Sequence, residues 1–323
     1  METYLVTGAA GFIGRSIAAE LLARGKRVRG IDNFVTGKRE NLRGLEAMGF
    51  IEADINDAQA VTEACRGVEC IFHEAAIPSV PRSIEDPVAT NLASVSGTVQ
   101  LLLAAKNAKV KRVIYAGSSS VYGNTPTLPK SEQMQPCPIS PYAVAKLAGE
   151  LYMQSFTRVY GLETVTIRYF NVFGPCQDPT SQYSGVLALF TLKMLAGEIP
   201  TIYGDGEQSR DFTFIQNVVH ANLLASEAPA ENVAGKVFNV ATGKRITLNQ
   251  AVAMLRDATG YSGEVRYAVE RGGDVKHSLA DISRARECFD YEPQVGFREG
   301  IERTVAWYKT FAKFANSHAG SNL

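Results

Sequence analysis

The feature that most constrains the fold is a glycine-rich turn near the start of the chain. Gly8, Gly11 and Gly14 stand in Gly-Ala-Ala-Gly-Phe-Ile-Gly, between a short apolar run at residues 4–7 and an amphipathic helical pattern at residues 12–24. Glycines at a strand-to-helix junction permit a tight turn and let backbone amides approach a phosphate at the positive end of the helix. The chain therefore begins with the strand–turn–helix unit typical of nucleotide-binding α/β proteins.

Strand and helix patterns alternate through the first half of the chain. Strands are predicted at residues 4–7, 27–31, 50–52, 70–73, 112–116 and 164–168, and helices at 12–24, 58–65, 88–108 and from 142 onwards. Strands that are apolar throughout and separated by helices are typical of a parallel sheet covered on both faces. The predicted class is α/β, with a Rossmann-like doubly wound parallel sheet and a smaller mixed α/β substrate-binding domain.

The second half of the chain is less regular. We expect residues 1–175 to form the cofactor domain, which also receives about 213–245 because a strand near 237–240 returns to it. Residues 176–315 then form the smaller, discontinuous domain. The small polar residues 316–323 are expected to fray.

Charge and cysteine usage exclude several classes of protein. The 33 basic residues balance the 33 acidic ones, without a long like-charge run, which disfavours nucleic acid or an anionic membrane as a partner. Five cysteines without a Cys-x-x-Cys pattern predict free thiols in a reducing compartment and no metal site. No signal peptide precedes the first strand, and no run approaches the ~20 apolar residues of a membrane helix, so we expect a cytoplasmic protein.

Two acidic residues follow the second and third strands. Asp32 lies where a carboxylate can accept hydrogen bonds from an adenosine ribose and repel a 2′-phosphate, so the sequence favours NAD over NADP. Asp54 and Ile55 are candidates for the adenine edge, although a loop aspartate is more often a helix cap.

A tyrosine and a lysine stand four residues apart in Ser140-Pro141-Tyr142-Ala-Val-Ala-Lys146. Ser140 suits an N-cap and Pro141 the first helical position, so both functional side chains should project from one face of a helix. A nearby ammonium stabilises a phenolate, which would make Tyr142 a usable base. Alone the pair is weak evidence, since about half an occurrence is expected by chance among 13 tyrosines and 13 lysines.

Serines follow the fifth strand in Ala116-Gly-Ser-Ser-Ser-Val-Tyr-Gly123, so their hydroxyls should lie at the ligand-binding edge of the sheet. With these motifs the chain resembles the extended short-chain dehydrogenase/reductase superfamily, specifically NAD-dependent nucleotide-sugar 4-epimerases of the UDP-glucose and UDP-N-acetylglucosamine type. The resemblance extends from Gly8 to about Trp307. It also includes His73-Glu-Ala-Ala, Arg168-Tyr-Phe-Asn-Val-Phe-Gly, Ser-Arg-Asp-Phe at 209–212 and Arg-Gly-Gly-Asp at 271–274.

The resemblance implies roles for particular residues. Ser118, Tyr142 and Lys146 would be the catalytic trio. The cofactor would also contact the glycine turn and the segments after the second and fourth strands, namely Phe12, Ile13, Asn33, Ala75 and Ala76. A UDP-sugar would be held by Ser119, by Asn171 near its diphosphate, and by Arg210 and Arg271 on its phosphates. A homodimer is expected through a four-helix interface formed by residues 88–108 and 142–160 of two subunits.

Sister enzymes share this scaffold. By family pattern, 4,6-dehydratases carry Asp-Glu and decarboxylases carry Glu before Val-Tyr-Gly, whereas this chain has Ser119 and Ser120. A serine is a poor replacement for a titrating carboxylate, which favours epimerisation. Another sugar-nucleotide enzyme of this superfamily, a reductase included, or a non-catalytic NAD-binding regulatory protein remain the alternatives.

Substrate choice depends on the space around the sugar C2 substituent. In these epimerases the residue four after the Asp of Arg-x-Gly-Asp limits that space, and counting from Asp274 gives Ser278. A small residue there should admit an N-acetyl group, although Ser278 can also be a small packing residue. Gln177 and Tyr183 are expected to line the same region.

Overall fold

The computed structural model describes residues 2–178, 185–270 and 276–319, with the backbone alone described over 311–319. It contains a large parallel sheet with helices on both faces and a second, smaller set of strands and helices. The predicted α/β class with a Rossmann-like sheet is confirmed.

The strands follow the predicted apolar runs closely. In chain order they are β1 Thr3–Thr7, β2 Arg27–Asp32, β3 Gly49–Glu52, β4 Cys70–His73, β5 Arg112–Ser118, β6 Glu163–Tyr169, β7 Val172–Phe173, β8 Thr201–Tyr203, β9 Ser209–Arg210, β10 Thr213–Phe214, β11 Lys236–Val240, β12 Ile246–Thr247 and β13 Arg266–Ala268.

The helices alternate with these strands. They are α1 Phe12–Ala23, α2 Ala58–Cys65, α3 Val80–Glu85, α4 Pro87–Asn91, α5 Gly97–Asn107, α6 Pro141–Tyr160, α7 Val186–Leu195, α8 Ile215–Glu227, α9 Ala230–Val233, α10 Leu248–Thr259, α11 Ser283–Phe289 and α12 Phe297–Ala319. Short 3₁₀ turns occur at Arg39–Leu42 and Ser119–Tyr122.

The large sheet has the order β11-β6-β5-β4-β1-β2-β3, and all its strands are parallel. Strand order reverses between β1 and β4, and ligands of such sheets bind at this switch point beyond the carboxyl ends of the strands. β11 pairs with β6 along its whole length, from Lys236 beside Val165 to Val240 beside Tyr169. The chain thus returns to the large sheet after forming β7 to β10.

Two apolar clusters cover the sheet, one on each face. The first includes Ile17 and Leu21 of α1 with Val218 of α8, and the second includes Leu101 of α5 and Met153 of α6. Because both faces are buried, the strands between them are apolar throughout, which is the pattern that predicted them.

The long helix predicted at 88–108 is interrupted. A π-helical turn, Leu92–Ser96, joins α4 to α5, so the helical stretch runs from Pro87 to Asn107. That stretch is long and apolar enough to cross a membrane, contrary to the expectation from sequence. Because 44% of it is buried against the rest of the fold, its apolar residues also have the simpler role of a core helix.

The last helix extends to the end of the described part of the chain. α12 continues to Ala319, into the stretch that was expected to fray. The remaining residues, 320–323, lie outside the described part of the chain.

Candidate active site

A deep cavity opens at the carboxyl ends of the strands of the large sheet. Its volume is about 1620 Å³, and it extends from the glycine turn after β1 to the segment that follows β13. Pockets for one drug-sized ligand are typically about 300–1,000 Å³. This cavity therefore has room for two ligands side by side.

The glycine turn is packed too closely for larger residues. Gly8 has φ +66°, and a Cβ atom on it would lie 2.9 Å from the backbone nitrogen of Ala75. A Cβ atom on Gly14 would lie 2.2 Å from the carbonyl oxygen of Gly8. The first glycine thus permits the turn beside β4, and the third allows α1 to lie against that turn.

The start of α1 forms one wall of the cavity. Gly11 is the N-cap of α1 and has no side chain to satisfy the first amides of the helix, while Phe12 and Ile13 follow it. Ala75 and Ala76 line the cavity from the adjacent strand end. Unsatisfied amides at a helix N-terminus favour a negatively charged group in this position.

Asp32 lies at the end of β2 and points toward the glycine turn. Its carboxylate accepts hydrogen bonds from the backbone nitrogens of Ala10, at 2.9 Å, and Phe34, at 2.8 Å. Burial raises the pKa of Asp32, and these backbone hydrogen bonds act against the shift. Since an ionised carboxylate has about four acceptor positions, Asp32 can accept further bonds from a ligand hydroxyl.

Asp54 is not a helix cap. The N-cap of α2 is Asp57, and Asp54 instead accepts hydrogen bonds from the Asn33 side chain at 2.6 Å and from both nitrogens of Asn56 at 2.8 Å. Burial acts to raise the pKa of Asp54, but these hydrogen bonds outweigh it and the pKa is lowered. Asp54, Asn33 and the buried Ile55 all line the cavity beyond β2 and β3.

A buried histidine, which the sequence did not single out as functional, holds the cavity wall. The Thr98 hydroxyl donates to the Ser94 carbonyl at 2.6 Å, so Nε2 of His73, 2.9 Å from it, is the protonated nitrogen. His73 Nδ1 then accepts from Thr7, whose hydroxyl in turn accepts from the Ala75 backbone nitrogen. This chain fixes both the strand end at Ala75 and the π-helical turn. Burial lowers the pKa of His73 to about 3, so it stays neutral.

The first two turns of α6 present the tyrosine and the lysine. Ser140 is the N-cap, with its hydroxyl accepting from the Ala143 backbone nitrogen, and Pro141 occupies the first helical turn. The backbone nitrogen of Tyr142 donates to the hydroxyl of Ser83 in α3 at 3.1 Å. This additional contact anchors the turn that carries Tyr142.

Lys146 is almost completely buried, with 3% of its surface exposed. Its Nζ donates to the carbonyl of Ala116 at 2.8 Å and lies 5.0 Å from the ring centre of Tyr115. The ring can approach because α6 has Gly149, where a Cβ atom would be only 2.2 Å from the Tyr115 hydroxyl. Gly149 therefore sets the position of the ring beneath Lys146.

The structure corrects one expectation about Tyr142. Its pKa is raised, chiefly by burial and also by the charge of Glu74, while hydrogen bonding with Ser118 acts to lower it. The pKa of Lys146 is itself lowered to about 8, because burial penalises the ammonium and Glu74 only partly opposes this. In the protein alone, burial thus outweighs the expected effect of the lysine on the phenol.

Ser118 and its neighbours form a hydroxyl cluster at the end of β5. The hydroxyl of Ser118 accepts from the backbone nitrogen of Ser120 at 3.2 Å and from the Ser120 hydroxyl at 2.9 Å. Its own proton is not used by these two bonds and can be donated toward Tyr142, with which Ser118 is hydrogen-bonded. Ser118, Ser119 and Tyr142 all line the cavity.

Glu74 is a carboxylate that the sequence did not single out as part of this site. It follows β4 directly, lines the cavity, and accepts a hydrogen bond from the Tyr169 hydroxyl at 2.9 Å. Burial raises its pKa to about 7, while Tyr169 and Lys146 act to lower it. The sequence signal that could have identified Glu74 is its place in His-Glu-Ala-Ala, immediately after a strand of the sheet.

The far end of the cavity contains the predicted substrate residues that the structure describes. Asn171 has φ +37° and donates from Nδ2 to the Asp211 carbonyl at 3.3 Å. The Arg210 guanidinium donates to two backbone carbonyls, those of Ser209 and Lys276. Ser278 is buried and its backbone nitrogen donates to the Ser209 carbonyl, so it lies beside β9, the strand that carries Arg210.

Asp211 holds this end together. Its buried carboxylate accepts hydrogen bonds from Thr242, through both nitrogen and hydroxyl, and from the backbone nitrogens of Gly243 and Ala280. The carboxylate thereby joins the Arg210 strand to the segment that carries Ser278. The sequence placed Asp211 in a motif without indicating this role.

Gln177 also lines the cavity and donates from Nε2 to the Val172 carbonyl at 3.3 Å. The other predicted substrate residues, Tyr183, Arg271 and Asp274, lie outside the described residues. Over the part of the chain that is described, no group of three or more His, Cys, Asp or Glu side chains is placed to hold a metal ion. The five cysteines are all free.

Comparison with known proteins gives consistent similarities. The profile of the NAD dependent epimerase/dehydratase family matches residues 4–241. A UDP-glucose 4-epimerase of Mycolicibacterium smegmatis is 41% identical over 94% of this chain and 98% of its own length. A UDP-glucuronate 4-epimerase of Thermodesulfobacterium geofontis is 34% identical over 96% of this chain and 97% of its own.

Solved structures resemble the fold over nearly its whole length. A UDP-N-acetylglucosamine 4-epimerase from Methanobrevibacter ruminantium, in complex with UDP-N-acetylmuramic acid, has a TM-score of 0.91 and 40% identity, and covers 96% of this chain and 99% of that one. A UDP-glucose 4-epimerase from Thermus thermophilus, in complex with NAD, has a TM-score of 0.86 and 35% identity, with coverages of 95% and 99%.

Proposed function

The chain belongs to the NAD dependent epimerase/dehydratase family, and we propose that it is a nucleotide-sugar 4-epimerase interconverting UDP-GlcNAc with UDP-GalNAc, UDP-Glc with UDP-Gal, or both. The observation that carries this proposal is the position of Tyr142 and Lys146, in one cavity with a serine cluster that contains no carboxylate. The reaction would pass through a 4-keto sugar.

The residues present fit NAD as the cofactor. The close packing at Gly8 and Gly14 is that expected of a turn and helix start that present their backbone amides to a pyrophosphate, and Gly11 between them has no side chain to obstruct it. Asp32 presents a carboxylate beside this turn, suited to ribose hydroxyls and unfavourable to a 2′-phosphate. When bound, NAD supplies the group that accepts a hydride from the sugar and later returns it.

Tyr142 is proposed as the base. Its phenolate takes the proton of the sugar 4′-hydroxyl, with Ser118 bridging the two oxygens, as C4 is oxidised. The protonated Tyr142 returns the same proton when C4 is reduced from the opposite face, so the cycle has no net redox change. Lys146 stabilises the phenolate by its charge.

The sugar must turn over between the two half-reactions while the diphosphate stays in place. Arg210 and Asn171 are proposed as anchors at the diphosphate, with Arg271 as a further one. Arg210 already lies across two backbone carbonyls on the cavity wall, which keeps its guanidinium close to its working position. Binding energy at this fixed end then orients the reacting end.

Sister reactions are supported less well. Ser119 and Ser120 stand where a dehydratase or decarboxylase would have its acid and base. Glu74 is a carboxylate in the same cavity, but the Tyr169 hydroxyl occupies one of its oxygens and it stands on a different strand.

Ser278 supports the acetylated substrates. It is buried in the cavity wall, at the end proposed to hold the sugar, and a small residue there would leave space for an acetamide group. Gln177 is proposed to line the same region, together with Tyr183. UDP-GlcNAc and UDP-GalNAc are therefore the preferred pair, with the non-acetylated pair also accepted.

The direct test is incubation of the purified protein with a panel of UDP- and dTDP-sugars without added cofactor, followed by proton spectra of the products. Epimers without a 4-keto-6-deoxy product are expected. Tyr142→Phe should retain NAD and lose at least about 100-fold in turnover, the lower range for a general base. Near-normal turnover in that variant would refute the assignment of the base.

The proposed role of Ser278 in admitting an N-acetyl group has a separate test. Ser278→Tyr should depress turnover of UDP-GlcNAc at least tenfold more than that of UDP-glucose, because the larger side chain fills the space beside C2. Ser278→Ala should leave the ratio of the two activities near its wild-type value. Equal losses on both substrates in Ser278→Tyr would show that residue 278 is not the gate.

We also propose which part of the chain binds each ligand, and that the protein forms a homodimer. Residues 1–175 with about 213–245 would bind NAD, and 176–315 the sugar nucleotide. Exposed apolar side chains on α4 to α6, such as Val88 (67% exposed), Leu151 (56%) and Val159 (66%), support a homodimer through these helices. A cytoplasmic location is proposed because the five cysteines are free, which suits a reducing compartment.

A further inference from the structure

Glu74 is held in one orientation by a short hydrogen-bonded chain. One amide proton of Asn222 goes to the Val218 carbonyl and the other to the Tyr169 hydroxyl, at 2.8 and 2.9 Å. The single proton of Tyr169 is then available to Glu74, 2.9 Å away. This bond favours the ionised carboxylate but does not cancel the burial that raises the pKa of Glu74 to about 7, so Glu74 carries its charge mainly on the alkaline side of neutrality.

Lys146 is the cation that this carboxylate affects. It has 3% of its surface exposed, and its ammonium contacts the Ala116 carbonyl and the ring of Tyr115, both uncharged. Within the described ranges, no carboxylate lies within salt-bridge distance of Lys146. His73 pairs with Tyr115 between β4 and β5, so Glu74 follows beside Ala116, whose carbonyl accepts from Lys146, and both Glu74 and Lys146 line the cavity. In agreement with this placement, burial lowers the pKa of Lys146 to about 8 and the charge of Glu74 acts to raise it.

The other titratable groups nearby do not provide this charge. Tyr142 of α6, Tyr115 of β5 and Tyr169 of β6 surround Glu74, and burial raises the pKa of each of them, so each is neutral in the protein without substrate. Glu150, further along α6, is bound to Arg168. His73 forms its two hydrogen bonds to Thr7 and Thr98 and stays neutral.

We propose that Glu74 is a positioning residue for the catalytic pair, whose negative charge keeps Lys146 protonated and so extends the pH range over which Tyr142 and Lys146 work. A buried ammonium tends to lose its proton, and a neutral lysine no longer stabilises a phenolate. Glu74 opposes that loss from the adjacent strand end without touching the reacting atoms. The inference rests on the proposed role of Tyr142 and Lys146.

The first test is the pH dependence of turnover in Glu74→Gln, which keeps the size and the acceptor for Tyr169 but removes the charge. The alkaline fall in kcat should move to lower pH by at least about one unit, which is a tenfold change on that limb. Glu74→Asp, which keeps the charge, should retain most of the wild-type pH range of turnover. Glu198→Gln, which removes an exposed carboxylate, should leave the alkaline fall in kcat at its wild-type pH. If kcat of Glu74→Gln falls at the same alkaline pH as kcat of the wild type, the proposal is overturned.

The second test does not depend on catalysis. Carbamoylation of Lys146 by cyanate, measured by mass spectrometry relative to the exposed Lys109, reports the fraction of neutral amine at each pH. The midpoint for Lys146 should fall in Glu74→Gln and stay at wild type in Glu198→Gln. An unchanged midpoint would refute the role of Glu74 even if epimerase activity is found. A lowered midpoint in a protein that turns over no sugar nucleotide would uphold the charge effect and refute the proposed function.

Discussion

Removal of the buried charge of Glu150 should destabilise the protein strongly. Glu150 lies on α6 and Arg168 on β6, and their side chains form two hydrogen bonds, Nη2 to Oε1 at 2.6 Å and Nε to Oε2 at 2.9 Å. The two side chains are 4% and 2% exposed. The third guanidinium nitrogen, Nη1, is buried without a hydrogen-bond partner. Glu150 is thus the counter-charge that makes this arginine tolerable in the core.

The expected cost follows from this geometry. In Glu150→Gln the side chain keeps its shape, but Arg168 becomes a buried charge without a counter-charge. Such a change typically costs about 3–5 kcal/mol of stability. For a domain of roughly this size each kcal/mol lowers Tm by about 2–4 °C, so a fall on the order of 10 °C is expected. The loss should be large because the pair is shielded from the water that could replace the carboxylate.

The assay is urea unfolding of both proteins, followed by circular dichroism, with thermal melting as a second measurement. The matched control is Glu20→Gln, which removes the carboxylate from an ion pair with Arg24 of similar length, 2.8 Å, but about 40% exposed. Exposed pairs are worth about 0–1 kcal/mol, so this control should stay close to wild type. A loss below about 1 kcal/mol in Glu150→Gln would show that the buried arginine does not depend on this partner.

Three further predictions concern packing, pH and assembly. Gly149→Ala should cost about 1–3 kcal/mol in urea unfolding, since its Cβ atom would meet the Tyr115 hydroxyl at 2.2 Å, whereas Gly49→Ala, with its nearest neighbour at 3.9 Å, should be nearly neutral. His73 has a folded pKa lowered to about 3 by burial, so its contribution to stability is complete above its unfolded pKa of about 6.5 and is lost as pH falls toward 3. His73→Gln should lack that part of the pH slope in the free energy of unfolding, and an identical slope would refute the buried neutral imidazole. Val159→Glu should raise the dimer dissociation constant at least tenfold in sedimentation experiments, because it places a charge on an exposed apolar face of α6; an unchanged constant would locate the interface elsewhere.

The sequence predicted the features that depend on local pattern. The bounds of α2 and β4 agree with the predicted ranges, because apolar periodicity is a local property of the sequence. The glycine turn and the Ser140 cap also follow from the short-range preferences of single residues.

The features that the sequence did not predict depend on which distant residues meet. The sequence around Gly149 predicts only a helix, and it does not show that the Tyr115 hydroxyl lies beside this glycine. Glu74 lies 95 residues from Tyr169, and only the pairing of β4, β5 and β6 brings their strand ends to one edge. The raised pKa of Tyr142 has the same origin, because burial depends on the whole surrounding fold.

The pairing of β11 with β6 gives the protein an inserted module. The chain leaves the sheet after Tyr169 and re-enters it at Lys236, and the two strands lie side by side, about 4.8 Å apart. The excursion carries Asn171, Gln177 and Arg210, so three proposed substrate contacts lie between two fixed attachment points. Insertions, deletions or segment exchanges before α8, the helix of this excursion that packs on the sheet, leave the sheet register untouched. Such a layout lets the proposed substrate contacts change in evolution while the proposed cofactor site is inherited intact.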